Sequence, residues 1–144
     1  MQRCERFSKK TPTSLGIEKF FPDKLKNMEF CDIVKESAEL SEISNTVENI
    51  QYMVSPPDIA FVVYNSLMKI QHIDGITNLE KKDMMCFDDV LAFFTPVFAT
   101  SPPVNAECIS EYLGNCLFPS TSSLDFGRMI FISAVSVIND SELN

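Results

Sequence analysis

The sequence predicts an all-α fold, a layered array of about six helices around two that are largely buried. Three features lead there. Apolar residues recur at steps of three and four in segment after segment, the period of an amphipathic helix and not the two-residue alternation of a strand. Ser-Pro-Pro occurs twice, at Ser55-Pro56-Pro57 and Ser101-Pro102-Pro103, and reads each time as a helix start. Two segments, around 90–98 and 129–138, are apolar nearly all round, which suits a helix covered by neighbours on most sides.

In chain order, residues 1–26 read as an irregular segment and 27–144 as the helical domain. Lys10-Thr11-Pro12-Thr13-Ser14 and Phe21-Pro22-Asp23 carry turn chemistry, and the plug Leu15-Gly16-Ile17 between them is suited to dock on a core. A helix begins at Met28, with Phe30, Ile33, Val34, Ala38 and then Leu40 or Ile43 on one face. The segment 47–53 continues it with a bend. Ser55 is positioned to cap the next helix, Pro56 to occupy its first position and Asp58 to favour its N-terminal dipole. Ile59, Val62, Val63, Leu67, Ile70 and Ile73 form its apolar face, and Asp74-Gly75 ends it. A polar loop is expected over 76–84.

Asp88-Asp89 opens the following helix, where two carboxylates suit the dipole, and Pro96 within it predicts a kink or an early end. The second Ser-Pro-Pro starts a helix carrying Ala106, Ile109, Tyr112 and Leu113, which Gly114 is placed to end. Residues 118–126 read as a Ser/Thr-rich loop. The last helix then runs from Met129 to about Asn139. Its β-branched residues favour a strand, but the run exceeds the usual strand length and is interspersed with Ala and Ser.

The chain is 144 residues long, the size of one ordinary domain, and 45% hydrophobic, enough for a continuous core and unlike a disordered chain. Twenty acidic residues against 12 Lys and Arg leave a net charge of −8. Nucleic-acid binding asks for a clustered basic face, and the one dense basic stretch, Arg3, Arg6, Lys9 and Lys10, reads as a solvated terminal tail. An acidic surface suits a protein partner with a basic or mixed face. The apolar stretch 129–138 is too short to span a bilayer, and the polar, charged N-terminus carries no signal peptide. A cytoplasmic protein is expected.

Chemistry-bearing motifs are few. Cys4, Cys31, Cys86, Cys108 and Cys116 are scattered with no Cys-x-x-Cys pair and a single histidine, so no metal site and no disulfide framework is expected. No cofactor is indicated, since Gly16, Gly75, Gly114 and Gly127 lie too far apart for a phosphate loop. His72 has no nucleophile to serve and reads as a rim histidine. Asp88 and Asp89 do not face one another on a helix and make a poor acid–base dyad, and the phenylalanines of 93–98 read as core. An independent enzyme has almost no support in these residues.

The order of these pieces resembles the vacuolar-protein-sorting-nine (Vps-nine) domain family, the exchange factors for endosomal Rab GTPases. The likeness begins at Leu15-Gly16-Ile17 and strengthens at Ser55-Pro56-Pro57-Asp58-Ile59, where members carry Ser-Pro before a charged helix start. Phe87-Asp88-Asp89-Val90-Leu91 resembles the family's Ala-Asp-Asp-Phe-Leu, and Thr100-Ser101-Pro102-Pro103 falls where members have an Asn-Pro-Pro turn. Glu111-Tyr112-Leu113 is similar to Gln-Tyr-Ile, and Ala134-Val135-Ser136-Val137-Ile138 to a closing Ala-Val-x-Phe-Ile. The series is collinear over roughly residues 55–140.

The resemblance implies a layered helical fold and an activity, release of GDP from an endosomal Rab in vesicle trafficking. It assigns the catalytic carboxylate to Asp88, which would reach toward the GTPase's phosphate-binding lysine and disfavour Mg²⁺. Asp89, Phe87, Phe126 and Met129 would touch the partner, with Phe94 adding to an apolar docking surface. Where the family carries a Tyr, and a Thr three residues later, this chain has Phe126 and Met129. Neither has a hydroxyl, so the resemblance implies a divergent domain, weak or inactive in exchange. The alternative is a helical interaction module that binds a small GTPase or scaffold without catalysis. Family domains usually rest on a preceding helical bundle, whereas about 50 residues precede Ser55, so a third reading stays open, a non-functional fragment or splice form, and with it a place in a larger multidomain protein.

Overall fold

Seven α-helices are found among the described residues of the computed structural model, which are 2–140 apart from 74, 79–84, 117, 119 and 120. The helices are α1 (Gln2–Ser8), α2 (Phe30–Glu36), α3 (Ala38–Glu48), α4 (Pro56–Ile70), α5 (Phe87–Thr100), α6 (Ala106–Asn115) and α7 (Ser122–Asp140). Single 3-10 turns lie at Glu18–Phe20, Asp23–Leu25 and Asn49–Tyr52. The fold is all-α with packed helices, as the periodicity predicts. A two-residue antiparallel ladder joins β1 (His72–Ile73) to β2 (Thr77–Asn78), pairing Ile73 with Thr77.

The N-terminal segment is more ordered than its composition predicts. Residues 2–8 are helical because Cys4 and Phe7, three apart, bury against α5 and α7. A helix of this length has little stability alone, so packing holds it. Ile17 is fully buried and Leu15 packs half-buried against the core, so the apolar plug docks as its composition suggests. The backbone amide and hydroxyl of Thr13 both donate to the Lys26 carbonyl, at 3.1 and 2.9 Å, tying this segment to the domain.

Five element boundaries differ from the sequence expectation, each for a local reason. The expected helix from Met28 divides into α2 and α3 at Ser37, whose backbone turns extended and whose hydroxyl accepts from the Leu40 N–H at 3.2 Å. Ser37 thereby caps α3. By contrast Ser55 makes no side-chain cap, although Pro56 does occupy the first turn of α4. That helix ends at Ile70, earlier than Asp74-Gly75. The chain then reverses through Gly75, whose φ of +80° is a conformation that glycine adopts without cost. Part of the expected 76–84 loop is therefore β2, and 79–84 lie outside the described residues.

The second Ser-Pro-Pro does not begin a helix. Ser101 terminates α5, as a residue before proline disfavours the helical region, and α6 starts only at Ala106. Gly114 stays inside the last turn of α6, which ends at Asn115. The last helix starts at Ser122, well before Met129. There the Thr121 hydroxyl accepts from the Leu124 N–H at 3.2 Å, and Asp125 sits in the first turn. Part of the expected loop 118–126 is thus helix.

The core is one cluster running from Cys4 to Ile138. α5 is its most covered member, with residues 93–99 all buried, and it runs through Pro96 to Thr100 without the early end the proline predicts. On one side Phe93 meets Phe21 and Phe30, with centroids 5.0 and 5.8 Å away. On another Phe98 meets Phe94 and, edge-on at 5.4 Å, Phe131 of α7. The most extensive helix–helix interface joins α4 to α7. α7 is covered on one face by Ile130, Phe131, Ala134, Val135 and Ile138 and leaves Met129 exposed, so it is less enclosed than its composition suggests.

Candidate functional site

The first turn of α5 and the first turns of α7 form one surface. Cys86 is the N-cap of α5, and Phe87, Asp88 and Asp89 follow it into the helix. The Cys86 side chain makes no cap bond. Its thiol instead donates to Asp89 Oδ2 at 3.2 Å, so Asp89, partly buried, is occupied within its own turn. Asp88 is exposed and has no hydrogen bond or ion pair among the described residues. It lies in the first turn of α5 with its side chain open to solvent.

Beside it, Phe87 is 37% exposed and packs edge-on against Phe126 of α7, with ring centroids 6.0 Å apart and planes at 85°. This is the favoured geometry of an aromatic pair, and it fixes the start of α5 to the start of α7. Met129 follows Phe126 by three residues, hence on the same side of α7, and is 53% exposed. The structure thus brings Phe87 and Phe126 into contact beside the free Asp88. Phe94, expected at a docking surface, is fully buried beside Phe98 and is not available to a partner.

Matching the chain against models of known families, curated proteins and solved structures finds no match.

Two residues of this surface escaped the sequence reading. Arg128 pairs with Asp125 at 3.2 Å across one turn of α7, and its guanidinium lies 5.5 Å from the Phe118 ring centroid. Both follow from α7 starting early, and the signal for that start was Thr121 three residues before Leu124, with Asp125 next. Arg128 puts a cation one residue from Met129, so the surface is mixed and not purely acidic.

The other singled-out residues lie elsewhere. His72 is exposed on β1, in a groove between α3 and α4. Glu29, Cys31 and Asp32, around the start of α2, each bring one ligand atom within 4.8 Å of the others. Burial, then the Asp32 charge and the hydrogen bond and charge of Glu29, push the Cys31 thiol above its ordinary range. A thiol held protonated is a poor metal ligand, and three ligands are one short of a closed zinc site. All five cysteines are free, and among the described residues no helix is long and apolar enough to cross a membrane.

What can the α5–α7 surface do? It offers an ionisable carboxylate with no internal partner, flanked by aromatic and thioether groups, to a basic group on another molecule.

Proposed function

We propose that this chain is a guanine nucleotide exchange domain for an endosomal Rab GTPase, of the kind its motif series resembles. The observation carrying this reading is Asp88, exposed and unpartnered at the first turn of α5 beside the Phe87–Phe126 pair. During exchange the partner's phosphate-binding lysine must lose its phosphate. A carboxylate presented there replaces the lost charge-assisted hydrogen bond and lowers the free energy of the nucleotide-free state. The same negative charge disfavours Mg²⁺ occupancy. Phe87, Phe126 and Met129 supply apolar contact area around it, and Asp89, engaged by Cys86, supports the helix start. The protein acts where its Rab partner is, on endosomal membranes.

Phe126 and Met129 stand where hydroxyl donors are implied by the resemblance. Each missing hydrogen bond to the partner weakens the complex by about 1 kcal/mol, so exchange is slow relative to a domain that has both. The same substitutions favour a second reading, a helical module that binds a small GTPase without accelerating nucleotide release.

One assay separates the two. Release of fluorescent GDP is followed for a panel of endosomal Rabs with the wild-type chain and with Asp88→Ala. Exchange predicts a saturable acceleration with at least one Rab, reduced about 10- to 100-fold by Asp88→Ala, the worth of a charge-assisted hydrogen bond. Capture of a Rab irrespective of its nucleotide, with no change in release rate, selects the second reading. Neither acceleration nor capture with any Rab removes both.

A further inference from the structure

A groove of about 560 Å³ runs between α3 and α4 and shares no residue with the α5–α7 surface. Its α3 wall is made by Glu39, Glu42, Ile43 and Thr46, spaced i, i+3, i+4, i+7. Its α4 wall is made by Val62, Asn65, Ser66 and Lys69, with the same spacing. Each wall is therefore one face of a helix two turns long, and the two ridges bound a channel of the kind into which a third helix packs. Ile43 is buried and Val62 and Met68 are half-buried at its lining, so the channel offers apolar contact.

The walls carry opposite charge. Glu39 and Glu42 are both exposed on the α3 side, and Lys69 and His72 are exposed at the end of the α4 side. Neither glutamate is ion-paired with Lys69 or His72, nor with any other described residue. The carboxylates of Glu39 and Glu42 on one wall and the Lys69 ammonium on the other are therefore open to charges on a bound molecule.

We propose that this groove binds an amphipathic helix of a partner protein. That helix has apolar anchors at i, i+3, i+4 and i+7, basic residues on the flank facing Glu39 and Glu42, and an acidic residue facing Lys69 and His72. A helix fits better than an extended peptide because both walls repeat at helical spacing, and of the two-residue strand β1 only His72 reaches the groove. The charges fix which way the helix lies.

The probe is a fluorescein-labelled synthetic peptide of about 14 residues, Leu at the four anchor positions, Lys on one flank and Glu at one end of the other. A second peptide has the flank charges exchanged. Fluorescence anisotropy with the full chain is expected to show saturable binding of the first peptide, about tenfold or more tighter than the second. Glu39→Lys with Glu42→Lys reverses that preference. Glu107→Lys with Glu111→Lys changes the net charge equally on exposed positions of α6 and leaves the preference intact. Melting curves establish that both variants fold. Three outcomes overturn the proposal: no saturable binding of either peptide, equal loss of preference in the α6 variant, or self-association of the chain that Glu39→Lys with Glu42→Lys abolishes, since a second copy would then be the occupant.

Discussion

Asp88 and Asp89 follow one another on a helix, where successive side chains point roughly 100° apart. That angle gives them different surroundings: Asp89 turns back to the Cys86 thiol, while Asp88 projects into solvent. The sequence marks both as helix-start carboxylates but does not say which one is occupied, because the distinction depends on a thiol three residues away reaching back across the turn. Phe87 and Phe126 were legible as apolar residues that the resemblance places toward a partner, but not as a contacting pair. Their contact depends on where α7 begins, which Thr121 and Asp125 mark only faintly within a Ser/Thr-rich run that otherwise reads as loop. A second residue-scale consequence concerns Cys31. Burial and the neighbouring charges of Asp32 and Glu29 disfavour its thiolate, so its protonated form persists to higher pH than in an isolated cysteine. Since the thiolate is the nucleophile, Cys31 should alkylate more slowly than a free cysteine thiol at mildly alkaline pH, and the lag should close as pH rises further. Asp32→Asn should shorten it. Peptide mapping after timed iodoacetamide treatment reads this directly, and a Cys31 that reacts as fast as free cysteine throughout would contradict it.

At the scale of elements, the long helices were legible from the sequence, whereas α1, read as irregular, and most helix ends were not. α4, α5 and α7 carry long periodic apolar faces, and each is found. The misplaced ends all turn on residues whose role is conditional. Ser37 caps a helix where Ser55, with better local credentials, does not. Gly114 continues a helix it was placed to end. Gly127, which reads as one of four scattered glycines, sits in the α4–α7 interface directly against the α4 backbone. A Cβ built on it would lie 2.3 Å from the Ala60 carbonyl oxygen and 3.0 Å from the Tyr64 nitrogen. Both are backbone atoms of α4, so no rotamer change relieves the overlap. Gly127→Ala therefore sets two effects against each other. Alanine gains about 1 kcal/mol of helix propensity, whereas forcing α4 and α7 apart costs about 1–3 kcal/mol and loosens the contacts of Ile130, Phe131 and Ala134. The severity of a backbone clash this short decides the sign, and the variant should unfold at lower urea concentration than wild type. Equal or greater stability of Gly127→Ala would mean that the helices part without loss, and would undo this account of their crossing.

Across the whole molecule, the first and last helices of the described residues belong to one core. Cys4 and Phe7 of α1 and Ile138 of α7 are members of the same apolar cluster, with α5 between them as the shared covered helix. A helix as short as α1 has no stability of its own, so whatever holds it is the same packing that holds α5 and α7. It follows that α1 does not melt separately. Phe7→Ala removes a ring that is 6% exposed, a change that costs about 3–5 kcal/mol in a well-packed core. If the core is indivisible, that cost is borne by the global transition: far-ultraviolet and near-ultraviolet circular dichroism should still report one coincident unfolding curve, moved to markedly lower denaturant. If instead α1 is an appendage, the same variant leaves the main transition in place and removes only a small helical signal from the folded baseline. The two outcomes differ in kind as well as in size. The site makes the difference consequential, because Phe87 and Phe126 hold their places through α5 and α7, the two helices against which α1 packs.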